Sequence, residues 1–165
     1  MKIRSIKKSE VATASKLVGL NYSKNYEKSS KKEIGATFTN SVIPPKYLVA
    51  EEKGKVIGFG GYIQSWMDYS VYNIFWVNVH PKEQGKGIGT KLVRALIDKI
   101  KGAGSKKNPP RLILITATTE NTRFYEKRFG FKKMFFFDDY HLMGLGIKWK
   151  EKLFSSGAEE ILSMK

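Results

Sequence analysis

Cysteine is absent from this 165-residue chain, and with it go disulfides, thiolate metal sites and any cysteine nucleophile. Histidine is nearly absent too. His80 and His141 alone do not make a zinc site, so no metal is expected. No apolar run approaches the ~20 residues needed to cross a bilayer. The N-terminal Met1-Lys2-Ile3-Arg4-Ser5 is charged with no apolar stretch behind it, which predicts no secretory signal and makes a cytoplasmic protein the simplest expectation. No G-x-S-x-G elbow offers a serine nucleophile. Acidic residues are scarce, 15 against 30 Lys and Arg, for a formal charge of +15. That excess attracts polyanions, whether a phosphorylated small molecule, RNA or an acidic protein surface, and works against a small polycation. A lysine-rich solvated surface is the plain alternative reading.

What is present suffices for a folded domain. Hydrophobic residues make up 41% and aromatics 13%, which argues against disorder. The length fits one domain spanning 1–165, with a core over about 2–149 and a tail from Lys150.

The richest segment is Val77-Asn78-Val79-His80-Pro81-Lys82-Glu83-Gln84-Gly85-Lys86-Gly87-Ile88-Gly89-Thr90. An apolar run ends at Pro81 and a glycine-rich loop leads into an amphipathic helix. Glycines let the backbone approach a ligand closely, and the free N–H groups of a helix start favour phosphate. Gln84-x-x-Gly87-x-Gly89 can turn successive amides toward one anion, so the loop is expected to hold a pyrophosphate. A tight turn without a ligand is the alternative. The dinucleotide fingerprint does not fit, because Thr90 stands where its last glycine belongs, and no Walker loop is present.

A second segment runs from Thr116 to Phe131, after the apolar run Leu112 to Ile115, which reads as a buried strand. Asn121 is a candidate helix N-cap and Gly130 a candidate C′ residue. Gln84-x-x-Gly87-x-Gly89 and Phe124-Tyr125-Glu126-Lys127-x-x-Gly130-Phe131, in that order with one strand between, closely resemble the two signature segments of the GNAT family of N-acetyltransferases. The resemblance covers Lys2 to about Trp149.

The resemblance implies a single-domain α/β three-layer sandwich, with a mixed central sheet of about six to seven strands flanked by about four helices. It implies an acetyl-CoA-dependent N-acetyltransferase that moves acetyl to a primary amine by direct attack in a ternary complex. Backbone groups of Val77, Asn78 and Val79 would lie along the pantetheine and polarise the thioester. Gly85, Lys86, Gly87, Ile88, Gly89 and Thr90 would supply pyrophosphate contacts, with the Gln84 and Lys86 side chains. Tyr125 would sit beside the sulfur and Asn121 near the pantetheine amides. A core role for Tyr125, packed with Phe124, Phe129 and Phe131, is the alternative.

The departure from the best-known pattern is the base. No Asp or Glu occurs between Asp68 and Glu83, where some relatives carry a glutamate. His80 is an imidazole suited to the task but equally at home capping or packing at the strand end, and Glu120, Asp138 and Asp139 could instead hold an incoming cation or stand as solvated surface acids. Trp66, Tyr69, Tyr72 and Tyr140 are candidates for an acceptor pocket or for core. The acceptor, a protein, peptide or small amine, is not readable from sequence, nor is the choice between monomer and homodimer. A non-catalytic basic module on the same fold, binding CoA, RNA or a protein, is the competing function.

Periodicity predicts the remaining elements. Lys2 to Ser5 reads as a strand. Ser9 caps a helix buried through Val11, Ala14, Leu17 and Val18, and Ser30 with Glu33 forms a capping box for a second helix through Ile34, Phe38 and Val42. Strands follow at Tyr47 to Glu52, Val56 to Gln64 and Val71 to Val79. The helix after the glycine loop buries Ile88, Leu92, Leu96 and Ile100. Strands at Phe131 to Phe137 and His141 to Trp149 close the fold, with a short helix in the tail.

Overall fold

The computed structural model describes residues 1–105 and 107–147. Its strands are β1 (Lys2–Ser5), β2 (Lys46–Glu52), β3 (Lys55–Gln64), β4 (Val71–Val79), β5 (Leu112–Thr118), β6 (Lys132–Phe137) and β7 (Tyr140–Gly146). Its helices are α1 (Val11–Asn21), α2 (Lys24–Gly35), α3 (Ile88–Lys101) and α4 (Thr122–Phe129). The strands form one mixed sheet in the order β1-β2-β3-β4-β5-β7-β6, antiparallel except where β4 runs parallel to β5.

Alternation along β2 sorts the two faces. Tyr47 and Val49 pack with Leu17, Val18 and Ile34 of α1 and α2, whereas Leu48 joins Leu96 and Ile97 of α3. Successive side chains of a strand point to opposite faces, so a run apolar at every position is buried between two helical layers. The stripe of α3 is buried as its spacing predicts: Ile88, Leu92, Val93, Leu96, Ile97 and Ile100 are all in the core. Burying six such side chains is worth on the order of 10 kcal/mol as an upper figure. The helix lies close to β3 because Gly60 has no side chain; a Cβ there would stand 2.9 Å from Leu96 Cδ1.

Local chemistry fixes the connections. Lys53 and Gly54, at φ +49° and +76°, close the β2–β3 hairpin with the left-handed turn that matches strand twist. Arg4 clamps β1 to its neighbours, donating to Glu10 at 2.9 and 2.6 Å and to Glu51 at 2.8 Å.

Two helix starts differ from the sequence reading. Ser9 lies inside a short 3-10 turn, Lys8–Glu10, where Glu10 accepts the Lys7 N–H at 2.8 Å, and α1 begins at Val11. The second helix begins at Lys24, not after Ser30. Ser30 is buried in its interior and donates to the Glu27 carbonyl at 3.0 Å, the i−3 back-bond of a helical serine. Val42 lies beyond the helix, exposed. The expected strand end at Trp149 and the tail from Lys150 fall outside the described residues.

Candidate active site

The site is made where β4 and β5 part. They pair only from Val71–Leu112 to Ile74–Ile115, after which β4 continues through Phe75 to Val79 with no strand on that side among the described residues. The cause stands at the next residues. Trp76 has φ +50°, and Trp76 with Val77 faces the single residue Gly60 across the β3–β4 ladder, a bulge that adds one residue to β4. A left-handed aromatic residue costs about 1–3 kcal/mol, sustained here by packing on both faces. The extra residue puts Phe75 and Trp76 on the same face, toward α1 and α2, and returns Val77 to the α3 face.

The resulting cleft is about 800 Å³. Val77, Asn78 and Val79 form its floor along the unpaired edge of β4. Gln84, Gly85, Gly87, Ile88, Gly89 and Thr90 close one end. Gly85 and Gly87 both take φ near +79°, at 78° and 79°, and Gly87 caps α3 in that left-handed conformation. Nothing stands within 4 Å of where a Cβ would be at either glycine, so backbone lies open to a ligand there. The first turn of α3 presents its free N–H groups to the same place.

Tyr125 stands across the cleft on α4, 9% exposed. Its ring packs edge-on to Phe124 at 5.0 Å and Phe131 at 5.9 Å, so core packing and cleft lining are both true of it. Burial, and then the neighbouring Tyr22, push its phenol above the ordinary tyrosine range. The hydroxyl therefore stays protonated and acts as a donor throughout the neutral range.

Other expected residues fall differently. Lys86 is not in the cleft wall; its ammonium bonds Glu83 at 2.7 Å. Asn121 lines the cleft, yet does not cap α4. Its backbone is already helical, and its amide donates to Thr118 Oγ1 at 2.8 Å because a 3-10 turn, Thr119–Asn121, starts the helix earlier. His80 Nδ1 accepts the Lys82 N–H at 3.2 Å, which caps the turn Pro81–Glu83. Glu120 and Tyr140 line the cleft, whereas Asp138 and Asp139 form the β6–β7 turn. Tyr72 is core, and Trp66 and Tyr69 are exposed away from the cleft.

The sequence reading missed Asn21 and Tyr22 at the end of α1. The Asn21 amide donates to the Leu17 carbonyl at 3.0 Å, Asn78 Oδ1 at 2.9 Å and the Val79 carbonyl at 3.1 Å. Its Oδ1 accepts from Gln84 Nε2 at 3.0 Å, and Gln84 also reaches the Val79 carbonyl at 3.2 Å. One side chain thus ties α1, the end of β4 and the glycine loop together. Tyr22 meets Trp76 at 6.2 Å and Tyr26 at 5.8 Å, forming an aromatic wall.

The acetyltransferase (GNAT) family matches residues 15–131, a span that contains both the glycine loop and the Tyr125 helix. The chain belongs to the GNAT family.

Its fold agrees. An aminoglycoside 6′-N-acetyltransferase complexed with coenzyme A superposes with a TM-score of 0.74 at 17% identity, over 92% of this chain and 99% of that one. The PaiA N-acetyltransferase of Thermoplasma acidophilum, in complex with coenzyme A, gives 0.70 at 20% identity, over 88% and 98%. In sequence, the L-amino acid N-acyltransferase MnaT of Escherichia coli (strain K12) is 37% identical over 65 residues, 34% of this chain. The match spans about a third of that relative's own length (34%). Among the described residues of this GNAT chain, no helix is long and apolar enough to cross a membrane.

Proposed function

We propose that this GNAT chain is an acetyl-CoA-dependent N-acetyltransferase acting on an amine by direct attack. The observation that carries the reading is the free edge of β4, Phe75 to Val79, bounded by left-handed Gly85 and Gly87 at one end and faced by the Tyr125 phenol. The coenzyme fits this place chemically. Its pyrophosphate suits the amides of Gly85 to Thr90, and its pantetheine amides suit an unpaired strand edge as an added strand would.

Bound acetyl-CoA supplies an acetyl thioester, whose C–S bond breaks as the acceptor nitrogen forms the amide and releases a proton. The chain's residues do the rest. Backbone N–H groups at the bulge of β4 hydrogen-bond the carbonyl oxygen as charge develops on it. Tyr125 donates a hydrogen bond to the departing sulfur. Full proton transfer from it would be uphill by more than ~2 kcal/mol, since even an ordinary phenol lies ~1.5 units above a thiol and burial raises Tyr125 further. Gln84, held by Asn21, fixes the entrance to the loop.

The acceptor amine must lose its charge, and the cleft offers little help. Of the two carboxylates among the described residues of its wall, Glu83 is engaged by Lys86 and Glu120 stands on the 3-10 turn before α4. Neutralising a lysine-like amine at pH 7 costs ~4.6 kcal/mol, an α-amine only ~1.4 kcal/mol. The balance favours an α-amine, in line with the amino-acid substrate in the name of the E. coli relative. Tyr22 and Trp76, which line the cleft, suit an apolar side chain beside that amine.

The test is thiol release from acetyl-CoA with a panel of amino acids, peptides, aminoglycosides and polyamines, alongside calorimetry with acetyl-CoA alone. Turnover with α-amines is expected. Absence of any coenzyme-binding heat would overturn the reading, and turnover confined to polyamines would overturn the choice of acceptor.

A further inference from the structure

Strand β6 carries large apolar side chains that the described residues leave bare. Met134, Phe135, Phe136 and Phe137 are between 41 and 66% exposed. They lie on both faces of a strand whose outer edge has no partner among the described residues. An unpaired apolar strand edge is a template for pairing, and proteins ordinarily guard it with charge or proline. Here charge stands only at the ends. From Lys132 the segment reads Lys-Lys-Met-Phe-Phe-Phe-Asp-Asp: two cations, four apolar residues, two carboxylates. None of these four charged groups forms an ion pair among the described residues.

A strand with that polarity is complementary to itself when reversed. Set antiparallel to a second copy about a two-fold axis through Phe136, it pairs Phe136 with its own copy and Phe135 with Phe137, which share a face of the strand. With Met134 taken up as the extra residue of the bulge, the same register brings Lys133 against Asp138 and Lys132 against Asp139 at both ends. A parallel arrangement would stack like charges instead. RNA would meet two carboxylates at one end of the strip, and an acidic peptide would have nothing to do with its aromatic centre. We propose that the β6 edge is the surface through which two copies of this chain associate, antiparallel and isologous.

The Met134 bulge, marked by the register shift between Lys133 and Phe135, confines regular ladder pairing to Phe135–Phe137. Apolar contact supplies the attraction, and the terminal charges select orientation and register.

Sedimentation of the 165-residue chain from about 1 to about 100 μM, the range in which an interface of ordinary strength forms, reads the outcome directly. A dimer is expected. Charge reversal at one end, Lys132→Glu with Lys133→Glu, raises its dissociation constant at least about tenfold, and Asp138→Lys with Asp139→Lys does the same. An equimolar mixture of the two variants restores association as a heterodimer, because each then supplies the sign the other needs. Circular dichroism and melting temperature check folding. If a reversal impairs it, the neutral pairs Lys132→Gln with Lys133→Gln and Asp138→Asn with Asp139→Asn weaken the dimer several-fold instead. A wild-type chain that stays monomeric across the range overturns the proposal, as does a dimer that the charge changes leave intact.

Discussion

Replacing Tyr125 with phenylalanine isolates one atom of the proposed chemistry. The ring is buried and packs against Phe124, Phe129 and Phe131 at centroid distances of 5.0, 6.4 and 5.9 Å, and phenylalanine keeps all three contacts. Stability should therefore change by less than about 1 kcal/mol, as for a shape-conserving swap. What disappears is a neutral donor facing a sulfur that becomes anionic. A hydrogen bond to a charged group is worth about 1.5–3 kcal/mol, which converts to a loss in kcat of roughly 10- to 150-fold. The interaction forms as the C–S bond breaks, so kcat and kcat/KM should fall together while KM for acetyl-CoA stays nearly constant. Because burial holds the phenol above its ordinary range, the wild-type rate should show no falling limb from this group below about pH 10. Steady-state thiol release at saturating acceptor, across pH 6 to about 10, measures both. A Tyr125→Phe enzyme within about twofold of wild type in kcat would refute the role, whatever its melting temperature.

Removing the Asn21 side chain should act at a distance from the chemistry. Asn21→Ala strands Asn78 Oδ1 in the interior and frees Gln84, at a cost of about 1–3 kcal/mol, seen as a melting temperature lower by several degrees and a several-fold higher KM for acetyl-CoA with little change in kcat. Gly87→Ala meets no clash, yet must hold φ at +79°; the expected penalty is about 1–2 kcal/mol together with weakened coenzyme affinity by calorimetry, and unchanged affinity would contradict a close backbone approach. Alkaline stability follows Tyr47 and Tyr125, whose folded phenols are raised by burial: their contribution is complete below about pH 10 and is lost as pH rises beyond it. Tyr47→Phe, which removes a buried hydroxyl without a partner, should flatten the fall in melting temperature above pH 10 and cost nothing at pH 7. On the acid side Glu10, held down at about 2 by Arg4, gives stability that is present above the ordinary carboxylate range and lost as pH falls toward 2, a loss that Glu10→Gln should abolish.

The parts of the site written in contiguous residues were legible, and those made by chain crossings were not. Gln84 to Thr90 declares itself because the glycines that turn amides outward are neighbours in sequence. Tyr125 declares itself through the short helix ended by Gly130, which takes φ +80° and returns its N–H to the Glu126 carbonyl at 3.0 Å. Asn21 carries no such mark. Its partners Asn78 and Gln84 lie 57 and 63 positions away, and one asparagine at a helix end reads as a cap. Ser30 misled for the opposite reason: a serine three residues before a glutamate has the spelling of a capping box, but its hydroxyl is satisfied within the helix and its face is needed by the core. The bulge was hidden most completely. Phe75-Trp76-Val77 contains no glycine or proline, so nothing local announces that Trp76 will take φ +50°. Yet the bulge starts two residues beyond the last β4–β5 pair, where the sheet opens. A sequence that filled the same strand with regular alternation could continue the parallel ladder past Ile115 and close the cleft. The strain at Trp76 is thus spent on keeping one strand edge unpaired, which is the condition for anything to be bound there.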